Sequence, residues 1–455
     1  MKINELKKDS LNIFETVALS VAIMGPSASI AIIVGMMAFY TNYSAPLVFA
    51  GSMLIVGFVS ISIVKLNQYF PSSGSVYYFV EKTLGTRAGF VSGWLIVFAY
   101  LMLGVSCAAV ASSYLQSLLG AFGLNINWEI IAAILLALVW YLAFKDAKTS
   151  TGMMLILEVA SMGLILVLSI IIIIRTATST GLSIVPFKLG GNSISSFSSA
   201  AVFGFLAFSG FEGASSLGEE SKNPQKTIPI AILCAVIISG LFYIVVSYAQ
   251  VLGFGITLDG MKALADSQAP LGDLTSRYLG SGVSIAILLC ITVSFFSSTL
   301  GCVSAGARIL FTMSRDNMLS HALARAHKIH NTPLVGINIL IGITALILMS
   351  SFRLPALHVG GYAAMTGTLA LLLSYIITVV GAIVYFHRNK IWKGVKLVIP
   401  IISVLALALI FYANVYPVPE YPMNLFPYIV VAWLAIGVFL GKRKTTHPSL
   451  PMSKD

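Results

Sequence analysis

The chain has 455 residues, of which 58% are hydrophobic and only 9% carry a formal charge. Soluble domains carry charge on roughly a quarter of their residues, so a water-soluble globule is excluded. The formal net charge of +11 is not laid out as a nucleic-acid surface, because no basic stripe is interleaved with exposed aromatics.

Apolar runs recur from end to end, each long enough to cross roughly 30 Å of hydrocarbon as a helix. Without water the backbone has to be satisfied internally, which leaves helices or a closed barrel. The runs are continuous and lack the alternation of barrel strands, so the chain reads as an all-α membrane protein. About twelve transmembrane helices are expected. The first five fall at Leu11–Phe39, Pro46–Leu66, Ala88–Leu119, Trp128–Phe144 and Ser150–Ile174. A second five fall at Ser196–Leu217, Ile228–Phe254, Gly282–Leu310, Pro333–Phe352 and Gly360–Phe386, and two more at Leu397–Asn414 and Met423–Leu440. The first run is too long for a signal-peptide core and lacks a small-residue cleavage site.

Of the 27 basic residues, 22 fall on the side of the N-terminus. Only Arg175, Lys188, Lys262, Arg277 and Arg353 fall on the other side. The positive-inside rule then places both termini, residues 1–10 and 441–455, in the cytoplasm of a multi-pass cell-membrane protein. The same excess suits anionic lipid. Cys107, Cys234, Cys290 and Cys302 all lie inside expected spans and read as small core hydrophobes rather than a disulfide or metal framework. His321, His327 and His330 share a loop with Arg325 and Lys328; cation-rich surroundings oppose a divalent ion, so the loop reads as solvated. No metal site and no cofactor is expected.

The informative places are those where a membrane helix is spoiled. The first span carries Ala22-Ile23-Met24-Gly25-Pro26-Ser27-Ala28-Ser29 at its middle, and the sixth carries Phe208-Ser209-Gly210-Phe211-Glu212-Gly213. Pro26 cannot donate the amide bond that a continuous helix needs. Bare backbone at mid-membrane survives where it lines a polar cavity. Each break opens a group of five spans, residues 11–174 and 196–386, with 397–440 as two peripheral helices. An odd number of spans inverts the second group, which is the pattern of an inverted-repeat transporter with its site at the midplane. Ordinary Gly and Pro kinks are the plainer alternative.

A broken helix supplies its own chemistry. The half-helix after Pro26 offers amides at Ser27, Ala28 and Ser29 and a positive dipole end, which suit a carboxylate. Carbonyls near Ala22, Ile23, Leu206 and Ser209, beside Gly25 and Gly210, suit an ammonium group or small cation. Partners for both signs a few ångströms apart suit a zwitterion such as an α-amino acid. Among the sixteen acidic residues only Glu158 and Glu212 fall deep in a span. Such residues cost on the order of 3 kcal/mol on insertion scales and are functional candidates by default. Both are candidates for proton uptake and release, against the plainer role of a protonated acid bonded to a neighbouring helix.

Three stretches carry a family resemblance. They are Phe70-Pro71-Ser72-Ser73-Gly74-Ser75-Val76-Tyr77 with Gly89-Phe90-Val91-Ser92-Gly93-Trp94; Phe208–Glu212 running on to Glu219-Glu220-Ser221-Lys222-Asn223-Pro224; and Ala307-Arg308 through Ser314-Arg315-Asp316-Asn317. On these the chain resembles the amino acid permease branch of the amino acid–polyamine–organocation superfamily. The resemblance implies a five-plus-five inverted repeat and alternating access around a central amino acid site. It implies a substrate carboxylate on Ser27 and Ala28, an amine on carbonyls of Ile23, Leu206 and Ser209, and a relay through Glu212. Here Gly25-Pro26-Ser27 replaces the usual Gly-Ser-Gly, which shifts the carboxylate contact towards Ser27–Ser29 or changes the substrate. Glu158 stands where some proton-coupled relatives carry a lysine, so a lysine mechanism is in doubt. Ser294, Ser297 and Ser298 are the candidates for a sodium site, which ranks below protons.

These readings converge on a secondary transporter of small amino acids, by proton symport or exchange. A polyamine or inorganic cation carrier of the same fold is the alternative. An enzyme would need a nucleophile and base or metal ligands at one depth, a channel repeated charge or carbonyl rings, and ATP coupling a phosphate loop.

Overall fold

The computed structural model describes residues 10–145, 147–190, 193–327 and 329–440. The expected cytoplasmic tails, apart from Ser10, and Lys328 of the histidine loop lie outside the described residues. The first span opens at Asn12, whose Oδ1 accepts from the Phe14 and Glu15 amides at 2.8 and 3.2 Å. The Glu15 carboxylate accepts in return from the Asn12 amide at 2.6 Å. This reciprocal cap satisfies amides that the first helical turn leaves bare. Helix α1 (Ile13–Met24) then runs to Gly25 and α2 (Pro26–Thr41) continues beyond it. α3 (Ala45–Tyr69), α4 (Val76–Leu84), α5 (Thr86–Ala121), α6 (Trp128–Phe144) and α7 (Ala147–Ser179) complete the first half.

The second half comprises α8 (Ile194–Ala207), α9 (Pro224–Phe254), α10 (Leu258–Asp266), α11 (Pro270–Leu279), α12 (Ser281–Arg315), α13 (Leu334–Ser350) and α14 (Ala356–Arg388). α15 (Val398–Val415) and α16 (Phe426–Leu440) end the described chain. With α1 and α2 taken as one span, nine segments among the described residues are long and apolar enough to cross a membrane. Three shorter apolar helices, Trp128–Phe144, Ser196–Ala207 and Leu334–Ser350, fall where the fourth, sixth and ninth spans are expected. The protein is therefore all-α and multi-spanning, with the first and sixth spans interrupted.

The core is centred on α5, which lies against both α12 and α14. Its central stretch from Ser92 to Leu101 is buried throughout. α1 packs on α7, α9 and α12, so the broken span sits inside the bundle rather than against lipid. α15 and α16 are peripheral, with many apolar side chains exposed. α16 is held to α5 by a reciprocal pair: the Trp94 indole donates to the Trp433 carbonyl at 2.8 Å, and the Trp433 indole to the Trp94 carbonyl at 2.9 Å.

Three details differ from the simple span pattern. Past its break the sixth span does not resume as an α-helix; residues Gly213–Leu217 form a 3-10 turn, whose i+3 bonds begin at Gly213 and Ser215. α4 lies within the connection after the second span. α10 and α11 lie between the seventh and eighth, where no helix is expected. α10 buries Met261 and Leu264 while exposing Asp259 and Lys262. Such surface helices are set by amphipathic pattern, which a search for long apolar runs passes over.

Candidate transport site between two interrupted helices

The break in the first span is set by two residues. Gly25 adopts a left-handed conformation with φ +51, and a Cβ there would lie 2.2 Å from the Ser298 hydroxyl. Pro26 has no amide hydrogen, so the Ala22 carbonyl loses its i+4 donor. The Ser27 amide, which a continuous helix would give to Ile23, donates to Glu158 Oε1 at 2.9 Å. The Ala28 amide donates to Ser294 Oγ at 3.1 Å. The helix resumes with the Ser29 amide on the Gly25 carbonyl at 2.8 Å. The Ser29 hydroxyl donates to the Met24 carbonyl at 2.9 Å. The break thus deprives the carbonyls of Ala22, Ile23 and Met24 of their helical partners, and the Ser29 hydroxyl serves the last instead.

The sixth span breaks beside it. The Ala207 carbonyl accepts from the Tyr243 hydroxyl at 2.6 Å. Gly210 has φ +90, and a Cβ on it would sit 2.1 Å from Ile23 Cγ2, so the two breaks touch. Ser20 ties them again: its hydroxyl donates to the Phe211 carbonyl at 2.7 Å and accepts from the Ala214 amide at 2.9 Å. Exposed backbone in one span is thereby satisfied by side chains of another.

A cavity of about 550 Å³ reaches the breaks. Ile23, Met24, Ala28 and Ser29 of the first span line it, with Leu206 and Ser209 of the sixth. Phe295 and Cys107 add to the wall, and Phe39, Tyr40 and His358 line its mouth, all three exposed. That mouth lies on the face opposite the N-terminus. Of the sequence-derived candidates, Ala22, Gly25, Ser27 and Gly210 sit just behind the wall rather than on it. His358, at the mouth, is the one acidic or basic side chain among the lining residues.

The two deep acids occupy different places. Glu158 on α7 is fully buried against the α2 N-terminus. Glu212 is equally buried but faces away from the cavity, accepting from the Tyr100 hydroxyl at 2.5 Å and from the Tyr375 hydroxyl. It therefore joins the sixth span to α5 and α14. Tyr375 was not singled out from the sequence. The available signal was a tyrosine inside an apolar run, since a buried phenol needs a partner. Tyr243 carried the same signal. Tyr362 lies beside Phe426 and is not a lining residue.

The N-terminal face is closed. Ser10 and Leu11 amides donate to the Glu220 carbonyl at 2.9 and 3.0 Å, and the Lys222 amide to the Leu11 carbonyl at 2.9 Å. Arg308 of α12 pairs with Glu220 at 2.5 Å, and both are buried. Arg315 pairs with Glu219. The Tyr77 hydroxyl of α4 donates to Asp316 at 3.1 Å. One face is thus sealed by ion pairs while the other admits solvent to the breaks.

Comparison with known proteins supports the same architecture. The family model described as "Amino acid permease" matches residues 11–439. The chain is 28% identical over 300 residues to the branched-chain amino acid permease BcaP of Bacillus subtilis, covering 61% of each chain. It is 28% identical over 315 residues to the methylthioribose transporter of the same organism, covering 62% of this chain and 64% of that one. The low-affinity putrescine importer PlaP of Escherichia coli K12 is 24% identical over 347 residues, 75% of each. The chain thus spans less than two thirds of the first two relatives. A manganese transporter of Eremococcus coleocola superposes with a TM-score of 0.58 at 13% identity, covering 96% of this chain and 97% of that one, a likeness of fold alone. With nearly the whole described chain matched and the interrupted spans in place, the protein belongs to the amino acid permease family.

Proposed function

We propose that the protein is a secondary transporter that carries an amino acid across the cell membrane by alternating access, as a proton symporter or an exchanger. The observation that carries this is the cavity ending where two interrupted spans meet. Residues 11–174 and 196–386 act as the two inverted groups, with residues 397–440 outside them, and the N-terminal face is cytoplasmic. The substrate ammonium is received by the carbonyls of Ala22, Ile23, Leu206 and Ser209, and its carboxylate by the first turn of α2 at Ser27–Ser29. Glu158 and Glu212 are the groups through which protons act, Glu158 at the cradle and Glu212 through its tyrosine partners.

A second reading, an organic amine without a carboxylate, is favoured by one feature. The cavity wall presents no lysine or arginine, and the Ser27 and Ala28 amides are already engaged. Uptake into proteoliposomes separates the two. A panel of labelled amino acids and amines is offered under imposed proton and sodium gradients, applied separately. Amino acid accumulation driven by an inward proton gradient is the expected result for symport. Counterflow that needs internal substrate and ignores both gradients indicates exchange. Accumulation of amines alone would replace the amino acid reading.

A further inference from the structure

The cradle that suits a carboxylate already holds one. Pro26 supplies no amide, Ser29 donates within its own helix, and the two remaining amides at the start of α2 are taken by Glu158 and Ser294. Glu158 is an interior residue of α7, 131 positions from Ser27 in the chain, and its side chain is fully buried. Its hold on the cradle is through Oε1, which accepts the Ser27 amide. Tyr243 of α9 and Cys290 of α12 are the titratable groups that feel its charge, with the hydroxyls of Ser27 and Ser294 beside it. α1 and α2 carry no titratable side chain between Val17 and Phe39. Glu129 of α6 and Asp273 and Arg277 of α11 sit towards the opposite face. Among the described residues, no lysine, arginine or histidine figures among the groups acting on Glu158, so none holds two carboxylates together there.

We propose that Glu158 is an internal occupant of the carboxylate cradle, and that a substrate carboxylate and the ionised Glu158 exclude one another, so each amino acid that seats places one proton on Glu158. The proposal rests on the amino acid reading above and specifies how protons enter it. On seating, the substrate carboxylate takes over the Ser27 amide hydrogen that Glu158 now accepts. The displaced side chain would face a second negative charge in a site of low dielectric, where like charges oppose ionisation. It takes one proton from hydronium in the cavity water, so one O–H bond forms on Glu158 as one breaks on hydronium and a water molecule is left. A zwitterion thus enters together with one positive charge. On the other side, departure of the substrate frees the amide, Glu158 returns to it, and the proton leaves. A substrate lacking a carboxylate has no claim on the cradle and carries no proton by this route.

The test uses the purified full-length protein in detergent. L-alanine, L-leucine, L-methionine and L-lysine are titrated calorimetrically between pH 5.5 and 8, with the amine left when each loses its carboxylate. Over the pH range in which free Glu158 is ionised, the wild-type Kd for the acid that binds tightest is expected to rise about tenfold per pH unit, as linkage to one proton requires. Glu158→Gln should bind the same acid with a Kd that does not follow pH. The matching amine should be pH-independent in both proteins. A flat wild-type profile, an equal slope in Glu158→Gln, or an equal slope for the amine overturns the exchange while leaving amino acid transport standing. Binding of amines without any acid, or of no probe, overturns the amino acid reading as well. If the variant does not fold, wild-type protein in weakly buffered solution suffices: about one proton should be taken up per acid bound and none per amine, and equal counts for both overturn the proposal.

Discussion

Depth within an apolar run singles out Glu158 and Glu212, because an ionisable group there needs a reason to persist. Their partners were hidden. Tyr100 and Tyr375 reach Glu212 from 112 and 163 residues away, and nothing local in the sequence encodes such pairings. The tertiary arrangement assigns the two acids unlike tasks, one capping a half-helix and the other clamping three spans. Replacing Glu212 by Gln keeps one acceptor oxygen and turns the other into a donor, so one phenol loses the acceptor for its hydrogen. Leaving a buried polar group unpaired costs about 1–3 kcal/mol. Glu212→Gln should therefore lower the melting temperature in detergent by several degrees, and adding Tyr375→Phe to it should lower it little further. Additive losses in that cycle would show that the clamp does not exist.

At the scale of an element, Gly25-Pro26 marks the first break unambiguously, since proline removes an amide and glycine permits the left-handed residue before it. The second break was readable in place but not in shape. Its backbone is met by side chains from other spans, Tyr243 at the Ala207 carbonyl before the break and Ser20 at Phe211 and Ala214 where the 3-10 turn begins. Gly210→Ala tests how far the two breaks depend on each other. The positive φ disfavours a side chain by about 1–2 kcal/mol, and the new methyl group would meet Ile23 Cγ2. Membranes carrying this variant should hold protein at reduced thermal stability and show at least tenfold less uptake per milligram. Wild-type uptake would mean that the two segments need not touch.

For the whole molecule, the question is which face is open, and that is a matter of balance between two sets of contacts. The N-terminal face is latched by the buried Arg308–Glu220 pair and by Arg315–Glu219. Removing one member of a buried pair leaves an uncompensated charge and costs about 3–5 kcal/mol. Under the proposed alternating access, Arg308→Ala is expected to shift the population away from the state with the opposite face open. Cys107, on the cavity wall and partly exposed, reports it. A membrane-impermeant maleimide added at the open face should label Cys107 at least several-fold more slowly in Arg308→Ala than in the wild type. Equal rates would remove the latch from the transport cycle.

Composition, run length, the Gly25-Pro26 pair and the Ser209-Gly210 step with Glu212 beside it were enough to establish helices, membrane, the order of spans and the positions of both breaks. These follow from local physics: the cost of bare backbone in hydrocarbon and the rise of a helix act on each segment separately. The choice of partners does not. That Ser27 gives its amide to Glu158, that Gly210 rests on Ile23, and that one face is sealed while the other is open are settled by residues far apart in the chain. They come together only when the bundle packs, because a buried donor takes whichever acceptor the neighbouring helices bring within reach.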